Sequence, residues 1–184
     1  MPTYNEAANI SSLLQMILSE DDANPAWRLV VLVVDDESPD GTGEIVRRIA
    51  RVEPRVRLLS GTKRGLGDAY MRGFAYVVDH LDVDAVVQMD ADFSHSPGDI
   101  KRLLDGLEQD VEVVIGSRYV SGGEIDTAWG WRRRWLSRGG NLFARYVVGL
   151  QRVKDATAGF KAIRSSALSN ALPFRFNVQG YVFQ

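Results

Sequence analysis

Leu29-Val30-Val31-Leu32-Val33-Val34-Asp35-Asp36-Glu37-Ser38-Pro39-Asp40-Gly41 is an unbroken apolar run, an acidic pair and a turn. The run is strand length, rich in β-branched residues and free of alternation, which is the pattern of a strand buried on both faces. Beyond it, Gly41–Val52 has Ile45, Val46 and Ile49 at helical spacing. A buried strand that turns directly into a helix is the repeating unit of an α/β sheet. The same rhythm continues downstream. Val56–Leu59, Ala85–Met89 and Val111–Ile115 read as strands. Leu66–Leu81 and Pro97–Leu107 read as helices, the second with Pro at its start, where the missing N–H costs nothing. Strands alternating with helices of this length predict a mainly parallel sheet flanked by helices.

Composition removes several classes. The 184 residues are 45% hydrophobic and 25% charged, with a net charge of −2, so the chain can bury a core and is not a disordered polyanion. There is no cysteine, which excludes a disulfide scaffold, a cysteine zinc site and a cysteine nucleophile. No segment approaches the roughly 20 apolar residues of a membrane span. Met1–Ile10 lacks the basic-then-apolar pattern of a signal peptide. These features set cytoplasmic placement as the expectation. The small net charge hides an asymmetry. Residues 1–117 carry 21 acidic against 11 basic side chains, and residues 118–184 carry 3 against 11. Acid clusters suit a divalent cation, and basic clusters suit phosphates or an anionic membrane surface.

In open α/β sheets, ligands bind beyond the carboxyl ends of the strands. Asp35-Asp36, Asp90-Ala91-Asp92 and Ser117-Arg118 all follow predicted strands, and Gly61–Gly65 joins them at the same rim. Asp90 and Asp92 are one residue apart after Val86-Val87-Gln88-Met89. Mg²⁺ or Mn²⁺ accepts such a pair when substrate phosphates complete its shell; the alternative is a strand-end turn with exposed acids. Asp35 and Asp36 repel unless separated or neutralised, so one is expected to face a ligand and the other to cap the turn or helix. Lys63-Arg64-Gly65-Leu66-Gly67 puts cations and glycines ahead of a helix, which suits an anion or forms an ordinary basic loop. Trp129 to Arg138 mixes tryptophan with arginine before a helix at about 136–148. That pairing suits a membrane interface, a packed helix with a basic outer face, or stacking on single-stranded nucleic acid; nothing else in the chain supports nucleic acid.

Taken together, these segments resemble the inverting family 2 glycosyltransferases, and within them the branch that mannosylates polyprenyl (dolichyl) phosphate. The resemblance rests on Pro2-Thr3-Tyr4-Asn5-Glu6, Val33 to Thr42, Lys63 to Gly67 and Met89 to Pro97. It continues through Ile115 to Tyr119 with Gly122-Gly123, Leu136 to Asn141, and Asp155 to Phe160, all in family order. It implies a GT-A fold, the nucleotide-diphospho-sugar transferase fold, over one catalytic domain spanning 1–184. In that domain a nucleotide-sugar half spans about 1–117, and an acceptor and membrane-side half spans about 118–184. The donor implied is GDP-mannose and the acceptor polyprenyl phosphate. Pro2, Tyr4, Glu6, Val34 and Asp36 would hold the guanosine, and the Ala91 backbone would lie alongside the metal-bound diphosphate. Asp90, Asp92 and Ser94 would hold Mg²⁺ or Mn²⁺, with Ser94 standing where the family often has Gln. Arg118 would approach the donor phosphates, and Arg133, Ser137 and Arg138 the acceptor phosphate. Asp92, Arg118 and Arg133 would carry the catalytic burden.

Further implications are peripheral attachment to the cytoplasmic face of a membrane, no nucleic-acid partner, and room for a separate membrane subunit. The family pattern has a complete strand before Pro2 and continues past Gln184, so the expectation is a chain lacking its first strand and its C-terminal end. Two other readings stand beside this one. One is a glucosyl- or aminosugar-transferase to the same lipid, or an inactive nucleotide-binding remnant. The other is a signalling receiver domain, whose acidic opening Leu32 to Glu37 resembles. It leaves Pro2–Arg28 unexplained and wants a Lys-Pro pair that is absent.

Overall fold

The computed structural model describes residues 1–107, 110–117 and 158–172. Its elements in chain order are β1 (Pro2–Thr3), α1 (Ile10–Ala23), β2 (Val31–Asp35), α2 (Thr42–Ala50), β3 (Val56–Ser60) and α3 (Leu66–His80). These are followed by β4 (Ala85–Gln88), a 3₁₀ turn at Pro97–Asp99 leading into α4 (Ile100–Asp105), β5 (Val113–Ile115), β6 (Lys161–Arg164) and α5 (Ser165–Ala171).

The strand at the heart of the sequence reading is in place at Val31–Asp35, one residue later than the Val30–Val34 that the β-branched run predicts. Val30 is exposed, and Asp35 is the last residue of β2 rather than the first of the turn. β2 is parallel to β1 on one edge and to β3 on the other. Its residues alternate between two cores. Val31 and Val33 pack with Ile10, Leu13, Leu14, Ile17 and Val46 from α1 and α2. Leu32 and Val34 pack with Ala69 and Val77 of α3. Both faces are therefore covered, which is why the run is apolar throughout.

α1 lies outside the sequence expectations, although Ile10, Leu13, Leu14 and Ile17 recur at the helical i, i+3, i+4, i+7 spacing and all are buried. β6 is the second unexpected element. It lies between β4 and β5 and is antiparallel to both, so these three strands form an antiparallel sheet in the order β4-β6-β5, distinct from the parallel sheet β1-β2-β3. A strand from beyond residue 117 thus sits between two strands of the first half. Arg164 holds the junction, donating from Nε to the carbonyl of Val111 at 2.9 Å and from Nη2 to that of Leu107 at 2.7 Å. The predicted helix at 136–148 lies outside the described residues.

Met1 extends the pairing of β1 by one residue. Its amino group donates to the carbonyl of Leu32 at 3.0 Å, and its carbonyl accepts from the N–H of Val34 at 2.9 Å. Burial lowers that amino group to about 5, with Asp90 pulling in the opposite direction. Next to Met1, a cavity of about 510 Å³ opens among β2, α3 and β4, lined by Leu32, Val34, Phe74, Val86 and Val87.

Candidate active site

The loops that follow β1 to β4 carry most of the residues singled out by sequence. Asp35 is buried and accepts three hydrogen bonds: from Thr3 Oγ1 at 3.0 Å, from the N–H of Ser38 at 3.1 Å and from its hydroxyl at 2.6 Å. Ser38 Oγ in turn accepts from the N–H of Asn5 at 3.1 Å. Asp40 caps the start of α2, taking the N–H and hydroxyl of Thr42 at 3.0 and 2.6 Å, and also takes the N–H of Ala7 at 2.9 Å. The Thr42 hydroxyl holds its carboxyl below the usual aspartate range. Thr42 Oγ1 accepts from the N–H of Glu6 at 2.9 Å. The loop after β1, which carries Tyr4 and Glu6, is thereby stitched to the loop after β2. Of the adjacent acids, Asp35 is the structural one.

Asp36 turns to α3 and pairs with Arg72, whose Nε also binds Asp68 at 3.0 Å. Burial raises the Asp36 carboxyl, Arg72 opposes the shift, and Asp68 and Asp35 reinforce it. Gly61, just past β3, makes room for this guanidinium. A Cβ there would lie 2.1 Å from Arg72 Nη1. The basic corner after β3 reaches the β1 loop, where Lys63 Nζ sits 3.2 Å from the centre of the Tyr4 ring. Pro2 pairs with Val34 in the sheet. The Val34 side chain belongs to the core, so any contact it makes with a donor falls to its backbone.

After β4 the chain alternates inward and outward. Met89 and Ala91 enter the same core as α1 and α4, which leaves Asp90 half-buried and Asp92 exposed. Asp90 is pinned twice. Its carboxylate accepts from the hydroxyl of Tyr70 at 2.9 Å, and its N–H donates to His95 Nδ1 at 3.1 Å. The His95 ring stacks on Phe160 with centroids 4.9 Å apart, tying the loop to the segment entering β6. Asp92 accepts from the N–H of Ser94 at 3.0 Å. Burial acts to raise its carboxyl, but hydrogen bonds from the Ser94 hydroxyl and N–H outweigh that and leave it below the ordinary value. Burial and the neighbouring Asp90 charge push the Tyr70 phenol far above its ordinary value, so it remains a proton donor.

Sequence reasoning missed a shared backbone feature of these loops. Asn5, Glu37 and Phe93 have φ of 62°, 50° and 62°, one after each of β1, β2 and β4. Left-handed conformations at non-glycine residues cost about 1–3 kcal/mol each and cluster at ligand sites. Only Asn5 carries a sequence cue, since Asn tolerates this region better than most residues. Arg118, Arg133, Ser137 and Arg138 lie outside the described residues.

The carboxylates of Asp90 and Asp92 and the Ser94 hydroxyl form a hard, all-oxygen set. Among the described residues no three His, Asp or Glu side chains group tightly enough to enclose a cation. The pair fits an ion that takes one or two carboxylates from protein and the rest of its shell from water and phosphate, as Mg²⁺ does.

Loops at the carboxyl ends of β1 to β4 that carry this incomplete oxygen set, an exposed aromatic ring and a buried acid–arginine pair have the build of a nucleotide-sugar transferase. Residues 1–172 match Glycosyl transferase family 2, and the chain belongs to that family and is a glycosyltransferase. Over its full length it is 39% identical to the polyprenol monophosphomannose synthase of Mycolicibacterium smegmatis, spanning 67% of that protein. It is 40% identical to the undecaprenyl-phosphate mannosyltransferase of Micrococcus luteus, spanning 72% of it. Over 91% of its length it is 34% identical to the dolichol-phosphate mannosyltransferase of Pyrococcus furiosus, spanning 46% of that protein. The fold matches mannosyl-3-phosphoglycerate synthase from Rubrobacter xylanophilus with a TM-score of 0.66 at 22% identity, over 90% of this chain and 52% of that one. Glucosyl-3-phosphoglycerate synthase from Mycobacterium tuberculosis, solved with Mn²⁺, UDP and glucosyl-3-phosphoglycerate, matches with a TM-score of 0.61 at 22% identity, over 90% and 55% of the two chains. The GT-A expectation holds, and with it the receiver-domain alternative falls.

Proposed function

We propose that this chain transfers mannose from GDP-mannose to the phosphate of a polyprenyl (dolichyl) lipid, with inversion at the anomeric carbon. The carrying observation is the Asp90-Ala91-Asp92 turn, anchored in the core by Ala91 and leaving two carboxylates on the loop after β4, Asp90 held by Tyr70 and Asp92 by Ser94. The 39% and 40% identities to mannosyltransferases acting on polyprenol and undecaprenyl phosphate support the acceptor and the sugar.

Asp90 and Asp92, with Ser94, would hold Mg²⁺ or Mn²⁺, which would supply positive charge to the leaving diphosphate. Tyr4 offers an exposed ring to the base, and Pro2, Glu6, Val34 and Asp36 complete the guanosine pocket. The acceptor is a phosphate monoester with its second pKa near 6, so it is largely dianionic at neutral pH and needs no strong general base. What remains is alignment of two anionic substrates. That role would belong to Arg133 and Arg138, with Ser137 also on the acceptor phosphate, while Arg118 would join the metal in stabilising charge on the leaving diphosphate. A single in-line displacement follows, with no covalent intermediate, and a trapped glycosyl-enzyme adduct would overturn it.

The basic Trp129–Arg138 stretch would place the enzyme peripherally on the cytoplasmic face of a membrane. Among the described residues no helix is long and apolar enough to cross one. Reversing the charges of Arg132 and Arg134 should weaken binding to anionic liposomes. Unchanged binding would remove that stretch as the contact.

Calorimetric titration with GDP and UDP, each with Mn²⁺ or with EDTA, tests the donor site. Metal-dependent binding that prefers GDP and is lost in Asp92→Ala is the expected result. Preference for UDP would replace mannose by a glucose or aminosugar donor. No binding by the folded chain would refute the donor-site reading.

A further inference from the structure

We infer that Tyr70, on α3, is a positioning residue that sets the cation affinity of the site by holding the Asp90 carboxylate in place. The inference rests on the donor-site reading above and adds to it a residue outside the rim loops, 20 positions from its target.

Tyr70 is 3% exposed and belongs to the buried stripe of α3. Its ring stacks on Phe74 with centroids 5.8 Å apart, so the side chain approaches Asp90 from a packed position. Its hydroxyl donates to Asp90 Oδ1 at 2.9 Å. A carboxylate has about four lone-pair sites, and this bond occupies one of them. The others, including both on Oδ2, remain for a cation, and the rotamer that presents them is fixed.

The main chain of the same residue is held separately by His95 Nδ1. Asp90 is thus fixed at both its backbone and its side chain, the first by a residue five positions on in its own loop and the second by α3. Asp92, by contrast, leans on Ser94 within its own turn. Asp92 is exposed and its hydrogen bonds come from a neighbour two residues on that is itself exposed, so ordering the pair around an ion costs side-chain entropy. The preordered Asp90 supplies the part of the protein's hold on the ion that costs no ordering. Groups that orient metal ligands in this way are worth about 10- to 100-fold in metal affinity.

Tyr70→Phe keeps the ring and its stack on Phe74 and removes only the hydroxyl. Mn²⁺ binding, read by electron paramagnetic resonance in the presence of GDP, should weaken about tenfold. GDP affinity in EDTA and the melting temperature should stay at wild-type values. Phe74→Leu is the packing control: it should lower the melting temperature and leave Mn²⁺ affinity unchanged.

Equal Mn²⁺ affinity in wild type and Tyr70→Phe would overturn the inference while leaving the donor site standing. A loss of Mn²⁺ affinity in Phe74→Leu as large as in Tyr70→Phe would reduce Tyr70 to a packing residue. Failure of the wild-type protein to bind Mn²⁺ with GDP would overturn the donor-site reading and this inference with it.

Discussion

At the carboxyl end of β2, Asp35 is buried and accepts hydrogen bonds from Thr3 and twice from Ser38, while Asp40 takes the N–H groups of Ala7 and Thr42. At the carboxyl end of β4, Asp92 is exposed and leans on Ser94, and Asp90 takes one hydroxyl from Tyr70. Both ends are short runs of acids after an apolar strand. In the first, the oxygens face the protein's own donors and lock two loops together. In the second, core residues Met89 and Ala91 fix the backbone and leave carboxylate oxygens to an outside partner. The difference lies in what surrounds the acids, and it separates a staple from a site.

Breaking the staple should produce the largest effect. Asp35→Ala strands a buried hydroxyl and the donors of Ser38, so the chain should lose about 3–5 kcal/mol of stability, read by urea denaturation. A stable but inactive Asp35→Ala would break the comparison, because Asp35 would then belong to the chemistry.

The converse change, Asp92→Ala, should lower turnover about 10²-fold, or about 2.7 kcal/mol, through lost charge stabilisation. Its stability should stay within about 0.5 kcal/mol of wild type, because the side chain is exposed. Unfolding of this variant would show that both ends are staples.

Asp36 lies between the two cases, being buried like Asp35 yet turned to a cation on another element. Arg72→Met should cost about 2 kcal/mol, since it leaves a buried carboxylate without its donor. The pH trend carries the sharper information. Burial raises the Asp36 carboxyl in the folded state above its unfolded value. Its contribution to stability is therefore full below the unfolded pKa, and it is lost as pH rises through the folded one. Removing Arg72 removes an opposing pull and lifts the folded value further. The deficit of Arg72→Met should thus be greatest near neutrality and shrink as pH falls toward about 4, the ordinary aspartate range. A deficit independent of pH would mean that the guanidinium acts through packing around Gly61 rather than through Asp36.

The contrast also shows what a sequence can reveal. β2 was legible because burial on both faces writes itself as an uninterrupted apolar run. The Asp90-Ala91-Asp92 turn was legible because two acids after a strand point to the rim of an α/β sheet. One of Asp35 and Asp36 was expected to cap the turn and the other to face a ligand; Asp35 takes the turn, whereas Asp36 is buried against Arg72, a partner 36 residues away that local sequence does not announce. α1 was present in the spacing of Ile10, Leu13, Leu14 and Ile17 and went unread. β6 has no comparable signal. Lys161-Ala162-Ile163-Arg164 is charged at both ends, and its strand character comes from pairing with β4 and β5. Tyr70 gives least away, because at its position an aromatic residue serves the core whether or not its hydroxyl finds a partner.

The smallest expected effect concerns the edge of the site. Lys63 lies over the Tyr4 ring on a loop that the staple holds in place. Tyr4 is 39% exposed, so the contact is a solvated one, worth about 0.5–1 kcal/mol. Lys63→Met should leave the melting temperature unchanged, because Ser38, Asp40 and Thr42 still fix the loop. It should weaken nucleotide binding about threefold, because the ring loses the cation that orients it. Lys63→Arg, which keeps a cation able to stack on the ring, should restore most of that loss. If Lys63→Met instead lowered stability and spared nucleotide binding, the Lys63–Tyr4 contact would belong to the staple, and the boundary between staple and site would have to be drawn further out along the rim.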